Sequence, residues 1–247
     1  MSPIFDAGFY VGSTAASKVY LGATEVWSSA ASDPYFNDTQ VLLNFDGGAG
    51  STSFTNFSSS GIPVIVSGNA IQSSTQVKFG ASSAYFDGSF DAFLGLSYGG
   101  NAIPPELALS SGEDWTIENW AWYDSSLSAK YIWGVGNGFR LMLWPGDTRP
   151  FRFYRSTTTL FYPYISIPSN QWVHIACARE SNVIRFFVNG TSIGSITNSS
   201  SMGSTTFELG RAGSSAYTGY IDDFRFTTNV ARYTGNFTPP TAPNPLQ

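Results

Sequence analysis

The segment 219–243, close to the end of the chain, constrains the fold more than any other stretch. It begins with Gly219-Tyr-Ile-Asp-Asp-Phe-Arg-Phe226, a run of aromatic and β-branched residues that carries one adjacent acidic pair. It ends in Phe237-Thr-Pro-Pro-Thr-Ala-Pro243, and proline cannot continue a sheet because it lacks a backbone N–H. The pattern predicts a β-strand that closes a sheet, followed by an extended exit.

Similar short runs recur along most of the chain, separated by turn residues. Aromatic residues make up 16% of the chain and charged residues only 12%, a composition that favours strands and turns over helices. We therefore predict an all-β fold in which two antiparallel sheets pack as a sandwich. The predicted strands are Val41–Phe45, Pro63–Val66, Ala84–Phe86, Phe93–Tyr98, Trp115–Tyr123, Tyr131–Val135, Phe139–Trp144, Phe151–Tyr154, Trp172–Cys177, Ile184–Val188, Ser192–Ile196, Phe207–Leu209 and Tyr220–Phe226.

The chain divides at Ser28–Phe36, a loop rich in small residues that contains one proline. Before it, Phe9–Val11 and Lys18–Trp27 have the composition of short strands. About thirty residues cannot bury a core of their own. We therefore predict an N-terminal assembly segment and linker over residues 1–36, a sandwich domain over 37–240 and a C-terminal tail over 241–247.

Five motifs resemble those of laminin-G-like (concanavalin A-like) jelly-roll domains, in the version common in tail and surface proteins of bacteriophages. Lys18–Trp27 also resembles short N-terminal segments of phage structural proteins. The resemblance covers about residues 40–240 and implies a jelly-roll sandwich displayed on a particle surface. The motifs follow the first strand, Leu42–Gly47; they are Lys78–Gly88, Asp114–Trp120, Gln171–Arg179 with Phe187–Gly190, Phe207–Gly210 and Gly219–Phe226.

Charge and cysteine content exclude several classes of function. The net charge is -5 and the sequence has no run of Lys or Arg, so we expect no nucleic-acid partner. The single cysteine, Cys177, rules out an internal disulfide and is predicted to be a buried, inert thiol. Met1–Tyr10 does not resemble a secretory signal, and no stretch approaches the ~20 apolar residues of a membrane span.

The acidic residues at the start of one strand are candidate catalytic groups. In glycosidases built on the resembling scaffold, carboxylates at i, i+2 and i+4 point into the cleft. Here Asp114 and Glu118 share a face, but Thr116 stands between them. His174 is the only histidine, and it is a recurrent structural residue in the resembling family. We therefore predict that the protein is not an enzyme.

An adjacent pair of carboxylates makes calcium the candidate metal. Calcium prefers oxygen ligands, and many domains of the resembling family hold one calcium ion near a rim. The candidate ligands are Asp222, Asp223 and Asp46. The alternative is structural, with one aspartate facing solvent and the other bonded to backbone or to Arg225. No cofactor is predicted to be required.

Aromatic residues in loops predict a contact surface. Trp144–Arg149 and Thr157–Tyr164 have loop composition, and large rings in loops more often serve contacts than remain idle. The predicted contact residues are Trp144, Arg149, Tyr154, Tyr162 and Tyr164. Their partner is either another subunit or a sugar, since rings suit both.

The prediction for the whole chain is a non-enzymatic bacteriophage virion protein of the decoration, fibre or tail-associated kind. It would sit on the virion surface, with other virion proteins and copies of itself as partners. The alternative is a receptor-binding module for a host surface glycan, and a more distant one is an enzyme that degrades polysaccharide.

Overall fold

The computed structural model describes residues 32–124, 130–213 and 215–246, together with four short strands between residues 10 and 28. Of these four, β1 (Tyr10–Val11) pairs with β2 (Thr14–Ala15), and β3 (Lys18–Leu21) pairs with β4 (Thr24–Ser28). Within the described part, no helix has the length and hydrophobicity needed to cross a membrane.

Apart from one short hairpin, the remaining strands belong to two sheets. Helical structure among the described residues consists of the 3-10 turns Phe36–Asp38 and Pro105–Leu107. The strands are β5 (Thr39–Leu43), β6 (Val64–Ser67), β7 (Ile71–Ser73), β8 (Ser83–Asp87), β9 (Phe93–Leu96), β10 (Trp115–Trp122), β11 (Lys130–Val135), β12 (Phe139–Leu143), β13 (Phe151–Arg155), β14 (Thr158–Phe161), β15 (Val173–Glu180), β16 (Val183–Val188), β17 (Thr191–Thr197), β18 (Phe207–Leu209), β19 (Arg211–Ala212), β20 (Ser215–Ala216) and β21 (Thr218–Thr228).

Two antiparallel sheets form the predicted sandwich. Sheet I has the order β17-β16-β15-β10-β21-β8-β7, and β5 also pairs with β21. Sheet II has the order β14-β13-β12-β11-β18-β9-β6, and β19 and β20 form a separate hairpin. The predicted all-β, two-sheet jelly-roll class is confirmed, and each of the thirteen predicted strands overlaps an observed one.

The core between the sheets explains the high aromatic content. Phe139 stacks on Phe153 with ring centroids 5.2 Å apart, and Phe153 meets Phe186 across the core at 4.9 Å. Trp133 stacks on Phe207 at 5.8 Å. Buried aromatic side chains remove large apolar areas from water and add ring–ring attraction. Cys177 is buried in this core as a free thiol, as predicted.

The outer face of sheet I is covered by the end of the chain. Residues 229–246, here called the strap, run across β15 and β16, where Phe187 packs against Tyr233 and Phe237. Phe237 N donates to the carbonyl oxygen of Gly190 at 2.9 Å. Asn244 N donates to Oδ1 of Asp223 at 3.0 Å. The strap therefore turns one sheet surface into a second, smaller core.

The sandwich has two distinct ends. At one end β10 begins, and the chain enters through β5, where Thr39 pairs with Thr227. At the other end Tyr123 accepts a hydrogen bond from Asn170 N at 2.9 Å. Eight residues of β10 separate these ends, which corresponds to about 25 Å. Tyr123 Oη also donates to the carbonyl oxygen of Ile167 at 3.3 Å, and Ile167 lines one groove with Gly146 and Tyr164. The aromatic loops that follow β12 and β14 therefore lie at this second end.

Candidate functional site

A tight turn positions the first aromatic loop. Asp147 N donates to the carbonyl oxygen of Trp144 at 3.2 Å, and Gly146 has φ of +80°. Proline at the second position and glycine at the third are the residues that a type II turn requires. Trp144 N also donates to Pro150 O at 2.7 Å, which closes the loop at the end of β12.

Arginines and rings then assemble one exposed surface, here called the loop surface. The Arg149 guanidinium carbon lies 3.7 Å from the Tyr164 ring centroid and 4.6 Å from that of Tyr162. Arg152 lies 4.2 Å from the Trp144 ring and pairs with Asp147 at 2.9 Å. The loop surface consists of Trp144, Asp147, Arg149, Arg152, Tyr162 and Tyr164.

The rings of the loop surface are open to solvent. Trp144 is 36% exposed, Tyr162 48% and Tyr164 72%. A groove of about 630 Å³ borders the loop surface at Tyr164 and Asp147, and Thr148 and Ser166 also line it. Its volume falls in the range of small-ligand sites. The groove combines a ring face with hydroxyl and carboxylate oxygens, the groups that contact a sugar.

One predicted contact residue and one predicted loop are placed differently. Tyr154 lies on the outer face of β13, half-buried, with its ring 5.8 Å from Tyr131. The predicted loop Thr157–Tyr164 is wrong over Thr158–Phe161, which forms strand β14. Its threonines are β-branched and pair with the edge of β13. Only the part that follows β14 is free to carry exposed rings.

The acidic pair on β21 fills a break in sheet I. Residues 218–221 of β21 pair with β8, whereas residues 224–227 pair with β5. Between them, Asp222 Oδ2 accepts from Lys78 N at 2.9 Å and from Phe79 N at 3.1 Å. Asp223 has φ of +51° and accepts from Asn244 N. Both aspartates are buried, so the expectation that one faces solvent is wrong.

Burial sets the ionisation of this pair. Burial disfavours the charged form and raises the pKa of Asp222 and of Asp223 to about 7. The hydrogen bonds from backbone N–H groups favour the charged form and only partly offset this effect. Asp46 bonds elsewhere, since its Oδ1 accepts from Ala81 N at 2.6 Å. The described residues include no group of three or more His, Cys, Asp or Glu arranged to hold a metal. The calcium site stays a prediction, and the bonds that Asp222 and Asp223 already accept from backbone N–H groups weigh against it.

Glu118 is locked into an ion-pair network on the outer face of β10. Its Oε1 accepts from Arg225 Nε at 2.8 Å, and its Oε2 bonds His174 Nε2 at 3.2 Å and Tyr233 Oη at 2.6 Å. Burial alone would raise the pKa of Glu118, but Arg225, with the bonds from His174 and Tyr233, holds it well below the usual range. Glu118 is therefore a structural group that is charged at neutral pH.

The network also joins the beginning of the sandwich sequence, at Asp33, to the strap at its end. Arg225 Nη1 donates to Asp33 Oδ2 at 3.1 Å, and Arg232 of the strap donates to both oxygens of Asp33 at 2.7 and 2.8 Å. Sequence reasoning missed this network; its only sequence signal is a pair of arginines in otherwise apolar or extended stretches. Asp114 is also structural, since its Oδ1 accepts from Ser181 N at 2.9 Å.

Comparison with known proteins places the fold. The family model described as "Concanavalin A-like lectin/glucanases superfamily" matches residues 96–231. No curated protein matches the chain in sequence.

Solved structures share the fold at low identity. Domain 4 of AbnA, an extracellular GH43 arabinanase from Geobacillus stearothermophilus, in complex with arabinotriose, has 16% identity and a TM-score of 0.57, over 78% of this chain and 94% of that chain. The binding domain of botulinum neurotoxin DC in complex with SialylT has 14% identity and a TM-score of 0.53, over 78% and 48%. Trypanosoma rangeli sialidase in complex with the inhibitor DANA has 10% identity and a TM-score of 0.55, over 88% and 34%. These likenesses establish the fold alone.

Proposed function

The chain belongs to the concanavalin A-like lectin/glucanase superfamily, and from this premise we propose that it is a non-enzymatic recognition domain carried on a virion surface. Its loop surface binds a saccharide on the host cell. The observation that carries this proposal is the convergence of Trp144, Tyr162 and Tyr164 with two guanidinium groups beside an open groove.

The chemistry of the loop surface suits a sugar better than a flat subunit contact. A sugar ring offers a C–H face that packs on an aromatic ring, and hydroxyls that need hydrogen-bonding partners. Tyr164 supplies an exposed ring at the groove wall, and Thr148 and Ser166 supply hydroxyls beside it. Among neighbours of the same fold, the arabinanase domain was solved with arabinotriose. A ring with polar groups around it is the usual composition of a small-ligand site.

The outer face of sheet I supports a function without catalysis. Acid–base hydrolysis of a glycosidic bond needs two carboxyl groups that face the bond in an open cleft. Glu118 is buried beneath the strap and already bonded to Arg225, His174 and Tyr233. No cofactor is required for recognition by rings and arginines.

Display on a virion rests on the resemblance of Lys18–Trp27 and of segment 219–243 to phage structural proteins. The chain enters the sandwich at the end opposite to the loop surface. An N-terminal segment anchored among other virion proteins would leave the loop surface pointing outward. This arrangement suits residues 1–36 as the assembly element.

A second candidate function is assembly with copies of this chain through sheet II. Ile65, Phe90 and Tyr98 are exposed near β6 and β9, away from the loop surface. Exposed apolar side chains grouped on one surface are a common mark of protein contacts. Light scattering of the protein and of an Ile65→Ser variant tests it: a multimer that the variant dissociates supports this assignment.

Glycan-array binding of fluorescently labelled protein tests the recognition function. Trp144→Ala and Tyr164→Ala should each weaken saccharide binding about five-fold, since a ring contact is worth about 1 kcal/mol. Phe57→Ala removes an exposed ring that lies outside both candidate surfaces and should leave binding unchanged. Binding that survives both loop substitutions at full strength would overturn the proposal.

A further inference from the structure

We propose that the saccharide recognised by this domain is acidic, and that Arg149 binds its anionic group; this inference rests on the proposed function. Charge is distributed unevenly along the chain. Residues 130–161 contain five Lys or Arg and one Asp, a net charge of +4, whereas the whole chain has a net charge of -5. These residues form β11 to β14 and their connections, so the positive charge is concentrated on one half of sheet II.

The arginines of this half-sheet are held mainly by neutral groups. Arg140 donates to the carbonyl oxygens of Val135 and Gly136, and Arg155 Nη1 donates to that of Asn137 at 3.1 Å. Only Arg152 has a carboxylate partner, Asp147, within residues 32–124, 130–213 and 215–246. Since carbonyls and rings carry no net charge, the positive charge of the other arginines is not compensated there.

Cross-strand pairing brings Arg140 and Arg152 onto the outer face of sheet II beside the loop surface, whereas Arg155 pairs with the buried Phe139 and belongs to the other face. Arg140 lies opposite Tyr154, and Met142 lies opposite Arg152, on the paired strands β12 and β13. Tyr131 of β11 lies beneath Arg140, with its ring centroid 5.9 Å from the guanidinium carbon. Tyrosine rings and guanidinium groups therefore alternate from the sheet to the loops. Tyr154, outside the loops, belongs to this extended face.

Arg149 is the group best placed to bind an anion. Its guanidinium rests against Tyr162 and Tyr164, and the groove beside Tyr164 lies next to it. A guanidinium has five N–H donors, and its planar edge matches a carboxylate in a bidentate pair. Ring contacts hold the cation in place without neutralising it. An anionic sugar stacked at Tyr164 would bring its acidic group to that edge.

Matched saccharides that differ only in charge test the inference. Calorimetry would compare oligogalacturonate with its methyl ester, and lactose 3′-sulfate with lactose. The first pair tests a carboxylate and the second tests a sulfate. We expect the acidic member of a pair to bind about ten-fold tighter. Its affinity should fall between about 0.05 M and about 0.5 M NaCl, because exposed charges are screened by salt.

Substitution of Arg149 identifies the group responsible. Arg149→Gln should weaken binding of the acidic member about ten-fold and should narrow its advantage over the neutral one. Arg185→Gln is the matched control, since Arg185 is a partly exposed arginine of sheet I that pairs with Glu180 at 3.3 Å. It should leave both affinities unchanged.

The outcomes separate this inference from the proposed function. If the acidic and the neutral saccharide bind equally well, and Tyr164→Ala weakens the binding of both, the acidic specificity is overturned and saccharide recognition stands. If no saccharide binds, both fail. An oligodeoxythymidylate of equal charge that binds as tightly as the acidic sugar also overturns the inference, because charge alone would then explain the binding. Arg149-dependent binding of lactose 3′-sulfate, without binding of oligogalacturonate, supports the inference and identifies the anionic group as sulfate.

Discussion

Arg225→Met should destabilise the domain strongly, because it would strand buried carboxylates. Arg225 is 6% exposed, and its guanidinium donates to Glu118 Oε1 at 2.6 and 2.8 Å and to Asp33 Oδ2 at 3.1 Å. Methionine preserves much of the length of the side chain and removes its charge. Asp33 keeps Arg232, and Glu118 keeps only His174 and Tyr233.

The expected loss follows from the burial of these groups. Removing one partner of a buried ion pair lowers the free energy of unfolding by about 3–5 kcal/mol. Because Glu118 and Asp33 keep their other hydrogen-bond partners, we expect a loss of about 3 kcal/mol. For a domain of about 200 residues, that loss lowers the melting midpoint by roughly 6–12 °C. This loss is a large fraction of the free energy of unfolding of a typical domain, which is about 5–15 kcal/mol.

The pH dependence of the loss has a definite sign. In the native protein the pKa of Glu118 lies below its ordinary value of 4.5. Its contribution is therefore complete above that value and is lost as the pH falls through the folded pKa. Without Arg225, burial would raise this pKa, so stability would fall as the pH rises. The deficit of Arg225→Met should be largest at neutral pH and should shrink toward pH 4.

Guanidinium chloride unfolding, followed by tryptophan fluorescence at about pH 7 and about pH 4, measures both effects. Adding Glu118→Gln to Arg225→Met should restore part of the stability, because the stranded charge is removed. Arg185→Met, at the partly exposed pair with Glu180, should cost under about 1 kcal/mol. A cost of that size for Arg225→Met, equal at both pH values, would refute the reasoning.

Three further predictions concern the metal, the N-terminus and the strap. Thermal melts should have the same midpoint in calcium and in chelator, since the oxygens of Asp222 and Asp223 already accept backbone N–H groups; a rise with calcium that Asp223→Asn abolishes would establish a calcium site. Deleting residues 2–31 should leave the far-ultraviolet dichroism of the sandwich intact and prevent incorporation into virions, and normal incorporation would rule out an assembly role. Gly190→Ala should release the strap to limited proteolysis, because Gly190 has φ of +73° and an added Cβ would collide with the carbonyl oxygen of Phe237, whereas Gly235→Ala, which meets no neighbour, should not.

Most of the strands could be predicted from the sequence, because the signal of a strand is local. In Phe151–Arg155, for example, the buried Phe151 and Phe153 alternate with Arg152 and Tyr154, as the geometry of a strand requires. Strand β14 was missed because Ser156 and the threonines after it have the composition of a loop. What makes them a strand is the open edge of β13, a neighbour that no local pattern reveals.

The candidate site divides in the same way. Trp144, Arg149, Tyr162 and Tyr164 could be grouped from loop composition, and the structure brings them together. The roles of Asp222 and Asp223 could not be predicted, since they depend on where β21 exchanges β8 for β5. The bond between Asp33 and Arg225 joins residues 192 positions apart. Such contacts follow from the topology and leave no periodic trace in the sequence.

The strap limits where this domain can bind a ligand. The outer face of sheet I carries Glu118 and Phe187, but Tyr233 and Phe237 cover it. A ligand that used this face would have to expose those rings to water and break the ion pairs that the strap makes with Asp33. Both costs oppose binding there. Under the proposed function, recognition is therefore left to surfaces that the chain does not cover itself. The loop surface, with the cationic half of sheet II, combines exposed rings with arginines that have no carboxylate partner among the described residues.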